Sequence, residues 1–242
     1  MRKYVFISLA LLLFYSGSAM AAGKFIMITA SGNVNAHEQK LADFLRGLGF
    51  EVETHDDDEQ DPVDLKGAAA VMVTESITSG NVADGYNDAP IPVIANEAWI
   101  WDDMGFVADG TQFKDVDTTI VIEDPNHVIT EGFEGEVEIT SQPVTLMSAS
   151  AFQGDARVLA AVKSTGNVTL AIYGEGAQTG KGEAPANRVA IFLFDDTPSV
   201  LKDSGWTLVE RSVRWALGEL VQPVSPAGAL AVTWGSLKSG HR

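Results

Sequence analysis

The run Ile91-Pro92-Val93-Ile94-Ala95-Asn96-Glu97-Ala98-Trp99 constrains this chain more than any other stretch. A short apolar segment, flanked by proline on one side and polar residues on the other, suits an inner strand of a parallel sheet that is buried on both faces. In open α/β sheets, ligands sit just beyond the carboxyl ends of such strands. Glu97 falls at that spot, where many enzymes of this architecture place a nucleophile. A carboxylate there can act as a base or a ligand, but it is a poor substitute for a thiol.

The neighbouring segments repeat the pattern. Lys24 to Ala30 is a compact apolar run, followed by a polar turn, Ser31-Gly32-Asn33-Val34-Asn35. Asn35 has the chemistry of a helix N-cap. Leu41, Phe44, Leu45 and Leu48 then recur at helical spacing, and Gly49 ends the helix. Phe50 to Thr54 and Ala68 to Thr74 read as the second and third strands, with an acidic loop, His55 to Glu59, and a crossover at Asp61 to Leu65 between them. The loop Thr78 to Gly85 is polar and reads as a lid or as the next crossover. Strands alternating with helices and crossovers predict an α/β fold, a flavodoxin-like doubly wound and mostly parallel sheet.

The middle of the chain changes character. Thr119–Glu123, Val137–Thr140, Val144–Met147, Arg157–Val162 and Val168–Tyr173 read as short strands, with a hairpin turn at Ser164-Thr165-Gly166-Asn167. They predict a β-rich extension of the sheet, not an independent domain. Arg188 to Phe194 returns to a buried strand. Trp206, Val209, Val213, Ala216, Leu217 and Leu220 mark a closing amphipathic helix.

The two ends stand apart from this core. Arg2 and Lys3 precede an apolar run from Val5 to Tyr15, and Ala19-Met20-Ala21 comes next as a cleavage-type site. Residues 1–21 therefore read as a secretory signal peptide. The run falls short of the roughly 20 residues that span a bilayer. The expected location is a bacterial periplasm or the extracellular space, with residues 22–221 as the mature domain. Residues 222–242 carry two prolines, a hydrophobic stretch and a basic end. They read as a linker and tail that could dock on an envelope partner.

The chain has no cysteine, which closes off disulfides and thiol catalysis. Its net charge of −17 repels nucleic-acid phosphates, so a nucleic-acid partner is not expected.

Three passages carry a resemblance. They are the opening strand–loop–helix from Lys24 to Glu53; the segment Asp124-Pro125-Asn126-His127-Val128-Ile129-Thr130-Glu131-Gly132-Phe133; and Asn187 to Phe192 together with Val213-Arg214-Trp215-Ala216-Leu217-Gly218. In this order they resemble the ThuA-like, or trehalose-utilisation-like, branch of the class I glutamine amidotransferase-like superfamily, over about Lys24 to Glu219. The resemblance implies the flavodoxin-like fold and a link to carbohydrates. His127 corresponds to a histidine of a family motif, although Val128 stands where the family usually shows proline. The superfamily's amidotransferases carry a cysteine at the elbow after the fourth strand and a late His and Glu. Here Glu97 takes the elbow, and the one late histidine, His241, lies in the tail. Glutamine hydrolysis by a thiol is excluded.

The strand ends gather the candidate chemistry. Glu97 and Glu75 are the pair to examine for general acid–base work. Glu75, Glu97, Asp195 and Asp196 are candidates for a hard-cation site, Ca²⁺ or Mg²⁺, and the alternative is a set of solvated loop acids. Trp99 and Trp101 follow Glu97, and an aromatic face beside acids and amides suits a sugar or another small polar ligand. Asn33, His37, Asn96 and His127 complete the candidate ligand-binding set. Two functions emerge as expectations: carbohydrate-related binding or processing at the carboxyl edge, or a non-catalytic cell-envelope module that docks through its tail.

Overall fold

A computed structural model describes residues 22–58 and 64–220. The segment read as a signal peptide, part of the Asp61–Leu65 crossover and the tail lie outside the described residues.

The chain runs β1 (Ala22–Thr29), α1 (Ala36–Gly47), β2 (Phe50–Asp56), β3 (Ala68–Val73), the short α2 (Ser79–Val82) and β4 (Val93–Ala95). A 3₁₀ turn at Ala98–Ile100 comes after β4. The extension is β5 (Gln112–Asp117), β6 (Thr119–Ile122), β7 (Gly135–Glu138), β8 (Val144–Ala149), β9 (Arg157–Val162) and β10 (Val168–Tyr173). A two-residue hairpin, β11 (Gln178–Thr179) and β12 (Gly182–Glu183), leads to β13 (Arg188–Ile191), α3 (Thr197–Val200) and α4 (Asp203–Ala216).

One sheet runs β2-β1-β3-β4-β13-β10-β9-β6-β7, with β8 branching from β10 and β5 pairing β8. The first five strands are parallel. From β10 onward every pairing is antiparallel. The fold is therefore the α/β, flavodoxin-like sheet with an antiparallel extension that the sequence predicts. The extension shares the sheet's hydrogen-bonded path and is not a separate layer.

Strand alternation explains why the parallel half is sequence-legible. Phe25 and Met27 of β1 point to one face, where Leu41 and Leu45 of α1 and Leu208, Val209 and Val213 of α4 cover them. Ile26 and Ile28 point to the other, under Ile77, Val82 and Trp101. All four β1 residues are at most 1% exposed, so each strand position contributes to one of two cores. Helix α1 starts where Asn35 accepts hydrogen bonds from the His37 and Glu38 amides, and Glu38 returns a carboxylate to the Asn35 amide. This reciprocal capping box satisfies the amides that a helix start leaves free.

Several boundaries differ from the sequence reading. The fourth strand is Val93–Ala95 and the last is Arg188–Ile191, both shorter than expected. Strand β5 has no counterpart in the sequence reading. The Thr78–Gly85 loop holds α2 and buries Val82 under the sheet, so it is a packed crossover and not a lid. Among the described residues no helix is long and apolar enough to cross a membrane.

Candidate functional site

Strand β4 has three residues, and its two ends define the site. Arg188, 1% exposed, fixes the strand's entry. Its guanidinium donates to the carbonyls of Asn87, Ala89, Ile91, Ala186 and Asn187. At the exit, Asn96 donates its amide to Val73 O at 2.9 Å. Glu97 then turns the chain, and its side chain caps the 3₁₀ turn by accepting the Trp99 amide at 2.8 Å.

Glu97 is 5% exposed. Burial raises its pKa to about 7; the Trp99 amide opposes the shift, Glu75 adds to it and Lys114 opposes it. Glu75 is also raised, chiefly by burial, with Lys114 lowering it and Asp195 and Glu38 raising it further. Carboxylates from the ends of β3, β4 and β13 and from α1 thus sense one another across one edge.

Lys114 is the cation among them. It reaches in from β5, places Nζ 3.3 Å from Glu75 Oε1, and lies 4.9 Å from the Trp99 ring centre and 4.3 Å from that of Phe194. Beside it lies a recess bordered by Glu38, Thr74, Glu75, Asn96, Phe194 and Asp195. Its interior of about 20 Å³ holds roughly one water-sized group. Glu38 is committed to the protein: one oxygen takes the Thr74 and Ser76 hydroxyls at 2.6 and 2.5 Å, the other the Asn35 amide at 2.8 Å. Asn96 is 2% exposed, and its Oδ1 has no hydrogen-bond partner.

The structure brings together Glu75, Glu97, Asn96 and Asp195 of the expected residues, with Trp99 beside them. It separates the two tryptophans. Trp99 is 40% exposed, whereas Trp101 is fully buried and donates its indole N–H to Ala95 O. Asn33 is exposed and donates to Ser31 O. His37 Nδ1 lies 2.7 Å from Ser199 Oγ, joining α1 to α3. Asp196 is exposed at the start of α3.

His127 stands apart from this group, contrary to its place in the expected set. Its ring lies 5.9 Å from that of Trp215 at the end of α4, and Asn187, just ahead of β13, donates to the Trp215 and Ala216 carbonyls. That is the opposite edge of the sheet. Burial lowers the His127 pKa to about 4, helped by Arg157 and opposed by Asp124. It is a neutral ring in the packing between the extension and α4.

Among the described residues no three His, Asp or Glu side chains are grouped closely enough to hold a metal ion. Sequence reasoning missed Lys114, Phe194 and the Glu38–Thr74–Ser76 network. One signal was available for the first: Lys114 is the only Lys or Arg between Lys66 and Arg157.

No family model matches the sequence, and no curated protein matches it. Solved structures do share the fold. A ThuA-like protein from Bacteroides uniformis aligns over 84% of this chain and 95% of its own, with a TM-score of 0.54 at 12% identity. A GMP synthase-type protein from Thermoplasma acidophilum aligns over 81% of this chain and 95% of its own, with a TM-score of 0.51 at 15% identity. At these identities the likeness establishes the fold alone.

Proposed function

We propose that this chain is an exported binding protein for a small hydroxyl-rich ligand of the carbohydrate class, held at the carboxyl edge of the parallel sheet. The carrying observation is the adjacency of an exposed aromatic ring, Trp99, with Lys114 over one face, to a buried carboxyl, Glu97, at the strand elbow. A pyranose has an apolar face that stacks on such a ring and hydroxyls that bond to the acids and amide beside it. The recess is too small to enclose a sugar ring, so the ligand lies across the rim and sends one group inward. The fold shared with a ThuA-like protein is consistent with this reading by analogy only. Export rests on the signal-type segment at residues 1–21.

With no cysteine, turnover at this edge would use carboxyls, Glu97 as the acid and Glu75 as its partner. The test is a thermal melt across a panel of mono- and disaccharides, with added Ca²⁺ and with EDTA. A ligand that prefers the folded state raises the midpoint. One sugar class should raise it, and Trp99→Ala should abolish the rise. No shift with any sugar in the wild-type chain overturns the proposal.

A further inference from the structure

The carboxyl edge already binds an ammonium ion, its own. Lys114 Nζ sits against the faces of Trp99 and Phe194, with Glu75 Oε1 at 3.3 Å. Two aromatic faces and one carboxylate around an ammonium are the components of an amine-recognising cage. The Lys114 side chain is 44% exposed and approaches from the solvent side, whereas Glu75 is 14% exposed and belongs to the wall. Withdrawing the lysine therefore leaves the cage standing.

A second observation is independent of that contact. Asn96 borders the adjoining recess, and its Oδ1 is buried and accepts no hydrogen bond. A buried acceptor without a donor loses the hydrogen bond that water gave it and gains none in return. Besides Glu38, the acceptors of the residues around the recess include Asn96 Oδ1, which has no donor, and two carboxylates with one partner each, Lys114 for Glu75 and the Asn35 side-chain amide, 3.5 Å away, for Asp195. The complement to that set is a compact group with several donors and a positive charge, of the size the recess admits.

We propose that the ligand of the strand-end site carries a primary ammonium group. It takes the place of the Lys114 head between Trp99 and Phe194 and donates to Glu75, while a neighbouring donor of the same ligand enters the recess toward Asn96. Lys114 is then an internal competitor that holds the site closed to neutral molecules. This rests on the ligand-binding reading above and narrows it to amine-bearing ligands, such as a sugar with a free amino group.

The experiment is calorimetric titration of the full chain with glucosamine, N-acetylglucosamine, glucose and methylammonium, in salt near 0.15 M to screen the general attraction of an acidic protein. Glucosamine and methylammonium should bind. The acetylated and neutral sugars should bind at least about tenfold more weakly. Lys114→Met should tighten glucosamine binding about tenfold, and Trp99→Ala and Phe194→Leu should each weaken it, in variants whose circular dichroism matches wild type. If glucose and N-acetylglucosamine bind as well as glucosamine, the ammonium inference falls and the carbohydrate site stands. If glucosamine binding ignores both Lys114→Met and Trp99→Ala, the amine is held elsewhere and the inference also falls. Absence of binding by every probe removes both.

Discussion

Lys114 forms its ion pair with Glu75 across two structural regions: Glu75 follows β3 of the parallel half, and Lys114 lies on β5, which pairs with β8 in the antiparallel extension. The extension therefore supplies the counter-charge for the carboxyl edge. It also brings that charge to Trp99, the exposed ring beside the elbow. An exposed ion pair alone contributes little. Here one partner is largely buried, and the lysine side chain also covers two rings.

The raised pKa of Glu97 has a direct consequence for stability. The folded carboxyl keeps its proton up to about pH 7, against an ordinary value of 4.5. Between those values the folded state binds more protons than the unfolded one, so stability falls as pH rises through the window. The penalty is absent below about pH 4.5 and complete above 7, where it reaches roughly 2–4 kcal/mol. Glu97→Gln keeps an acceptor for the Trp99 amide and removes the charge. It should melt several degrees above wild type at pH 8 and together with it near pH 4.5.

His127 has the opposite slope. Its folded pKa is near 4 against an ordinary 6.5, because burial excludes the charged ring. The unfolded chain gains a proton first, and stability is lost as pH falls from about 6.5 toward 4. Proton NMR of the imidazole should show no titration of His127 down to pH 5. A midpoint near 6.5 would mean the ring is solvated.

Arg188 stabilises the entry to the site's strands through five carbonyls. Burial lowers its pKa to about 10, so it stays charged at neutral pH. Lysine offers at most three donors, so Arg188→Lys strands at least two of the buried carbonyls. At about 1–3 kcal/mol each, the variant should lose roughly 2–6 kcal/mol in denaturant unfolding.

How far the fold was legible depends on these residues. The parallel strands are buried on both faces, so their sequences are unbroken apolar runs, and Asn35 marks the start of α1 by local chemistry alone. Strand β5 was hidden because Phe113 is 41% exposed and Val116 63% exposed on an otherwise polar segment, which leaves no buried face to read. Trp99 and Trp101 are two residues apart on one tight turn, and only the packing sends one outward and the other into the core. The edge to which His127 belongs depends on strand order across the whole sheet, which no local pattern encodes. Glu38, whose carboxylate completes the capping box with Asn35, was not read from the sequence. Its bonds to Thr74 and Ser76 depend on β3 lying beside β1.

The strand elbow and its neighbours form one electrostatic unit. Carbon-detected NMR titration of the glutamate carboxyls in the full chain, wild type and Lys114→Met, probes that unit without intermediaries. The expected spectrum holds a carboxyl with a midpoint near pH 7, absent in Glu97→Gln, that moves higher in Lys114→Met as the opposing cation is lost. A Glu97 carboxyl titrating below pH 5, or one indifferent to Lys114, would show that the elbow and the lysine act independently.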